Sequence, residues 1–275
     1  MKKTLVALSL AAMTLPALAQ DKKAPEPDYT ITGNAGIFSD YRFRGISQTR
    51  LAPAFQGGFD YAHKSGFYAG NWNSSVSSHQ FQAGSGLEMD FYAGFKKEIA
   101  GIGFDLGTIY YYYPGAEITS NGTKLGKYNN HEVYVGLAYG PVSFKTSYAI
   151  SNYFGLKGTN DNFLGATDLA NSADSKGTIY YDLSFSKEIA EKITLVAHYG
   201  KTAYSSYKQL DYDDYKIGVN IDVNGWILGL AYINNSGLTT TGKTFTTNSA
   251  DTNSGPLPEK KLYKSGGIIS LTKTF

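Results

Sequence analysis

Few side chains in this 275-residue chain are suited to chemistry. There is no cysteine, which excludes a thiolate nucleophile, a thiolate metal site and a disulfide scaffold. The four histidines are His63, His79, His131 and His198, and only His198 and His131 fall near apolar-polar alternating cores. A Ser-His hydrolase needs a base within hydrogen-bond reach of its nucleophile and a third group to orient that base. No Gly-x-Ser-x-Gly elbow accompanies either histidine, and His131, after Asn129 and Asn130, reads as a solvated loop-edge residue. Metalloprotease, phosphate-loop and dinucleotide signatures do not occur. Asp211, Asp213 and Asp214 gather the oxygens that calcium takes, but a strand end would send Asp214 to the opposite face from the other two. These residues predict no catalytic centre, no metal and no cofactor.

Charge points elsewhere. All three arginines lie in SDYRFRGISQTR, Ser39 to Arg50, where Tyr41, Arg42, Phe43 and Arg44 alternate aromatic with basic. Alternation of this kind is the period of a strand with two different faces. Extended from Thr30, it puts Ile31, Gly33, Ala35, Ile37, Tyr41 and Phe43 on one side and Thr30, Thr32, Asn34, Asp40, Arg42 and Arg44 on the other. Projected along the other strands, the polar side also receives Glu88, Asp90, Glu132, Asp182, Asp214 and Lys216.

The elements that must position these groups are strands of about ten residues. From Asp214 to Val223 the odd positions are apolar and the even ones polar or glycine; Asn224-Gly225 follows, a strong two-residue hairpin signal. Such a turn pairs Val223 with Trp226, Ile221 with Leu228 and Val219 with Leu230, so the apolar faces coincide. Gly140-Pro141 passes the same test, joining Tyr139 to Val142, and Lys64-Ser65 would pair Tyr61 with Tyr68. Further strands are predicted at 30–44, 86–96, 103–113, 178–188, 193–203 and 262–275, twelve in all. Short connections near 64, 98–102, 140, 190 and 224 alternate with long polar ones at 45–53, 77–85, 114–130, 152–176, 204–211 and 234–261.

An even number of strands with short turns on one side and long loops on the other is the layout of a transmembrane antiparallel up-and-down β-barrel. A soluble barrel is the alternative, but it would carry its charge outside and its apolar residues within. Here the second face is Gly, Asn, Ser and charged groups, as a water-lined interior would be. The ends agree: Lys2 and Lys3 precede an apolar run and Ala17-Leu18-Ala19, a signal peptide over 1–19. A flexible leader, 20–28, then precedes a barrel over 29–275. With the two signal-peptide lysines, Lys2 and Lys3, removed from 25 bases, the mature chain balances its 23 acids, so no basic excess suggests nucleic acid.

Two stretches carry a resemblance. DYRFRGISQT, followed by PAFQGGFDYAHKSGFYAGNW from Pro53 to Trp72, is similar to the opening of the TorF porin family of proteobacteria. The terminal GGIISLTKTF resembles the strand, ending here in Phe275, that barrel assembly machinery reads, although Lys273 stands where such strands usually carry an apolar residue. The first resemblance implies a pore-forming outer-membrane protein of a Gram-negative bacterium and supplies no site residue. The expectation is a porin passing small hydrophilic solutes, in contact with outer-membrane lipid. Its pore-lining residues would be Arg42, Arg44, Asp40, Glu88, Asp90, Glu132, Asp182, Asp214 and Lys216, with a weak cation preference. Alternatives are an adhesin or structural barrel working through its loops and, behind it, a lipid-modifying enzyme.

Overall fold

The computed structural model describes residues 27–78, 80, 86–120, 123–157, 174–237, 250–251, 255–256 and 261–275. The expected signal peptide, most of the leader, His79 and much of the loops at 77–85, 152–176 and 234–261 lie outside these residues. Twelve antiparallel strands close into a barrel. In chain order they are β1 (Tyr29–Phe38), β2 (Ala54–His63), β3 (Phe67–Ser75), β4 (Leu87–Ile99), β5 (Ile102–Tyr112), β6 (Asn130–Tyr139), β7 (Val142–Ala149), β8 (Ile179–Ala190), β9 (Ile193–Ala203), β10 (Tyr212–Val223), β11 (Trp226–Ser236) and β12 (Gly266–Thr274). Each pairs with its chain neighbours, and β12 closes on β1 with Leu271 opposite Ile37. Phe275 extends that seam, exchanging backbone hydrogen bonds with Gly33 at 2.7 and 2.9 Å. Closure satisfies the strand backbone without help from water, the condition for crossing hydrocarbon.

The outward face is apolar around the whole ring. Ile31, Ile37, Phe55, Phe59, Leu106, Val135, Ile217 and Ile269 are each more than half exposed. Exposed aromatic residues flank this band: Tyr110, Tyr148, Tyr199 and Tyr215 toward the long loops, and Phe67, Phe95, Tyr139, Trp226 and Phe275 toward the short turns. Such girdles sit where lipid meets water.

The inward face tiles tyrosine on glycine. The rings of Tyr92, Tyr68, Tyr134 and Tyr180 cover Gly70, Gly94, Gly107 and Gly200, where an added Cβ would collide with them. A glycine leaves a hollow in the pleat that a flat ring from the next strand fills, which keeps the wall smooth. The hydroxyl groups are then tied along the wall: Tyr68 donates to Asp105 at 2.6 Å and Tyr92 to Asp60.

The turns follow the projected registers with one exception. Asn224 and Gly225, at φ 54° and 80°, form the two-residue turn, with Val223 opposite Trp226 and Val219 opposite Leu230. Tyr139 faces Val142 across Gly140-Pro141. At Lys64, however, Ala62 faces Tyr68, so the expected Tyr61–Tyr68 pair is displaced by one. The cause is Gly66, whose φ of 101° lets the turn take a third residue. Tyr61 thus faces out, stacked on Tyr29, while Tyr68 faces the lumen. Among the described residues the only helical pieces are single turns at Tyr153–Gly155 and Lys208–Leu210.

Candidate functional site: the lumen and its inward hairpin

The first strand ends at Phe38 instead of continuing to Arg44. Residues 39–53 leave the wall and fold into the lumen. Arg42–Phe43 pairs with Ile46–Ser47 around Arg44 and Gly45, whose φ values of 47° and 78° give the two-residue turn that needs both central residues left-handed. Asp40 ties the base of this hairpin by accepting from Ser47 Oγ at 2.6 Å, Thr49 Oγ1 at 2.9 Å and Arg42 Nε. Arg42 also donates to the carbonyls of Gly45 and Leu262, so it holds the hairpin together and is not mounted on the wall.

Tyr41 and Phe43, which strand alternation puts on the apolar face that a membrane barrel turns to lipid, lie instead inside the barrel. Tyr41 is buried, packs edge-on against Trp72 and donates to Glu88 Oε1 at 2.8 Å. Burial and then the Glu88 charge push its phenol pKa up, so it stays a donor. Phe43 packs edge-on against Tyr111 and Phe154. An aromatic side of a strand is served as well by a packed interior as by lipid.

The hairpin crosses the barrel. Tyr41 is tied to β4 and Arg44 to β6, while a Cβ on Gly45 would strike Asn235 and Asp214 on β11 and β10. In the ring order, β10 lies six strands from β4, on the opposite wall. Loop residues complete the layer in two packed clusters, one around Tyr111, Tyr113, Tyr128 and Ile118, the other around Tyr153, Tyr204, Tyr207 and Leu262. Phe154 packs against both clusters and joins them.

Each anticipated acid, in this layer or just beneath it, has a specific environment. Glu132, fully buried on β6, receives both arms of the Arg44 guanidinium at 2.9 and 2.6 Å and the Asn130 amide at 3.0 Å. Burial opposes the Arg44 charge, yet the facing carboxylate holds its pKa well above the ordinary arginine value. Glu88 accepts from Tyr41 and Tyr113. Asp90 is buried beside it with Oδ1 unpartnered. Asp214 accepts from Tyr180 at 3.1 Å and faces His198 Nε2 at 2.9 Å; Asp182 faces His198 Nδ1 at 3.2 Å. Lys216, on the same inward row as Asp214, is exposed.

Below the layer the lumen wall is open to water: the Lys145 side chain, 3.6 Å from Asp105, is 40% exposed and that of Asp182 33%. Arg42, Asp40, Arg44, Glu132, Glu88, Asp90 and Asp214 thus lie in the packed layer, with Asp182 and Lys216 beneath it. Tyr153, Tyr180 and Phe154 are residues that alternation did not single out, since two of them sit on a loop and the third is an ordinary strand tyrosine.

One constellation has the residue types of a hydrolase. Ser184 Oγ lies 3.2 Å from His198 Nδ1, and His198 Nε2 faces Asp214. Ser184 and His198 are register partners on β8 and β9, a proximity visible only once the strands are aligned. Both ring nitrogens face carboxylates, and Ser184 donates to Asp182 at 2.6 Å, so its hydroxyl proton is held by a carboxylate and not by the ring. His131 is not a solvated loop residue: it is the second residue of β6 and bonds Thr108 through Nε2 at 2.8 Å. Asp213 faces outward to Tyr199 and Asp211 caps the Tyr204 amide, apart from Asp214.

A family model described as a bacterial protein of unknown function, Gcw_chp, matches residues 22–275. No curated protein matches the sequence. Among solved structures, a KdgM porin in complex with disordered oligogalacturonate superposes with a TM-score of 0.48 at 9% identity, over 89% of this chain and 98% of that one. A NanC porin superposes with a TM-score of 0.46 at 10% identity, over 89% and 98% of the two chains.

Proposed function

The chain belongs to the Gcw_chp family, and we propose that this member is an outer-membrane porin that passes small hydrophilic solutes through a narrow lumen. One observation carries the reading: a closed ring of twelve strands is apolar outside and polar within, and a hairpin of its own chain narrows the polar space. Twelve strands lie between eight, which side chains fill, and sixteen, which leave an open channel. The resemblance of the opening strands to the TorF porins agrees with it. Phe275, exposed at the seam it helps to close, suits a terminal strand presented to assembly machinery.

Ion preference then depends on depth. Asp40, Glu88, Asp90, Glu132 and Asp214 lie in the packed layer, while inward acids reach water lower down. Asp60, Asp105 and Asp182, with Glu98, Glu188 and Asp222 toward the short turns, share the inward rows with Lys96, Lys145, Lys216 and His198, and Lys96 is opposite Asp105, Lys145 opposite Asp182 and Lys216 opposite His198. The balance is acidic, and rings of side-chain charge select ions, so a weak cation preference is expected. Arg42 and Arg44 act at the constriction by holding the hairpin in place.

Planar-bilayer recording of the purified, folded chain tests the proposal. Small, ohmic steps together with slow liposome swelling are expected. Folded protein that gives neither would remove the porin reading and leave a barrel that works through its external loops.

A further inference from the structure

Arg44 occupies a receptor for a flat cation. Glu132 presents its two oxygens to the two ends of the guanidinium, Tyr153 Oη accepts a third hydrogen bond at 2.8 Å, and the Tyr180 ring lies 4.1 Å from the guanidinium carbon. A carboxylate in the plane and an aromatic face over it are what guanidinium recognition requires. The receptor is braced from behind. Asn130 holds Glu132, Ser151 donates to Asn130 at 3.2 Å, and Asp214 and His198 hold the Tyr180 hydroxyl.

Ownership of these parts is uneven. Glu132 and Tyr180 belong to the wall and Tyr153 to a different loop; of the groups around the guanidinium, only Phe43 shares the hairpin with Arg44. The bonds that shape the hairpin, among Asp40, Arg42, Ser47 and Thr49, are internal to it, whereas those from Tyr41 to Glu88 and from Arg42 and the Ser47 N–H to the Leu262 carbonyl are among the ties, besides those of Arg44, that must release for it to shift as a unit. A hairpin withdrawn from the wall would leave Glu132 as a buried, unpaired carboxylate, which is costly until another cation replaces Arg44.

We infer that this cage is a solute-binding site of the pore, that its ligands are guanidinium-bearing or similarly planar organic cations, and that Arg44 is the tethered occupant that keeps the constriction narrow in their absence. The inference rests on the porin reading. Such a solute would enter the cage as Arg44 leaves it, with no change in the charge of the layer.

The test removes the tether. In planar bilayers Arg44→Ala should conduct more than the wild type, and guanidinium chloride should block that added current about tenfold more potently than ammonium chloride, the ratio that one charge-assisted hydrogen bond gives. Arg44→Ala combined with Glu132→Gln should lose the difference. If Arg44→Ala does not fold, Arg44→Lys takes its place, since a point charge without the fork should be displaced by guanidinium more readily than arginine is. Conducting variants that respond alike to the two cations would overturn the inference while sparing the porin. Wild type and variants that never conduct would remove the porin, and the cage would then be read alone. Millimolar guanidinium should raise the unfolding midpoint of Arg44→Ala in detergent more than ammonium does, and equal midpoints would overturn the cage too.

Discussion

Two ion pairs of nearly equal length contribute very differently to this molecule. Lys64 Nζ lies 2.7 Å from Asp28, with both side chains more than half exposed, and Arg44 Nη2 lies 2.6 Å from Glu132, with both almost wholly buried. Water screens the first, so Lys64→Ala should change stability by less than about 1 kcal/mol. Glu132→Ala strands a buried guanidinium and should cost roughly 3–5 kcal/mol, read as the shift of a urea midpoint with the slope unchanged. The tyrosine-glycine tiling gives a second test at this scale. A Cβ on Gly107 would come within 2.7 Å of the Ala93 carbonyl oxygen, a backbone atom that cannot move aside, whereas on Gly103 it would meet nothing closer than 3.5 Å. Gly107→Ala should therefore destabilise by about 1–3 kcal/mol and Gly103→Ala by much less, in the same unfolding measurement. Alternation finds such inward positions but not their partners: Glu132 was assigned to the lumen from its place in β6, while its pairing with Arg44 depends on a loop whose path no period describes.

Strands were legible because each face meets a different solvent, and the register around Asn224-Gly225 followed from the turn alone. Two of the errors at the level of elements involve a glycine with positive φ. At Gly66 and at Arg44-Gly45 a glycine with positive φ adds a turn residue or reverses the chain, while the apolar-polar rhythm on either side continues unbroken. Alternation reports which face a residue takes and is silent on whether the backbone still runs in the wall. Leu262 shows the converse. It was assigned to the last strand, which begins only at Gly266, and it is instead buried in the packed layer. The hairpin makes its own prediction. Gly45→Ala adds a methyl group where Asn235 and Asp214 already touch the tip, and it does so at a φ of 78° that alanine resists. The barrel should remain folded while its single-channel conductance rises; an unchanged conductance would mean that residues 42–47 do not set the constriction.

At the scale of the whole molecule, burial divides the lumen charges into those sealed inside the layer and those on a wall that water reaches. Asp90 is almost fully buried, whereas Asp182 stands a third exposed beneath the layer. An ion crossing the pore is attracted by a carboxylate within about a Debye length through water, ~8–10 Å at ordinary salt, and far less by one whose charge is already met by buried donors or sealed from solvent. Asp90→Asn should thus leave the reversal potential in a salt gradient unchanged. Asp105→Asn combined with Asp182→Asn should move it toward anions, and the shift should shrink as salt is raised. The arginines give the opposite sign. Neutralising Arg42 and Arg44 together frees Asp40 and Glu132 from their partners and loosens the hairpin, so two carboxylates join the water-lined wall. The reversal potential should move further toward cations as the conductance rises, and both changes should appear together because one displacement causes them. A folded double variant in which neither quantity moves would leave the two arginines as structural partners of Asp40 and Glu132, and selection would then belong to the lower acids alone.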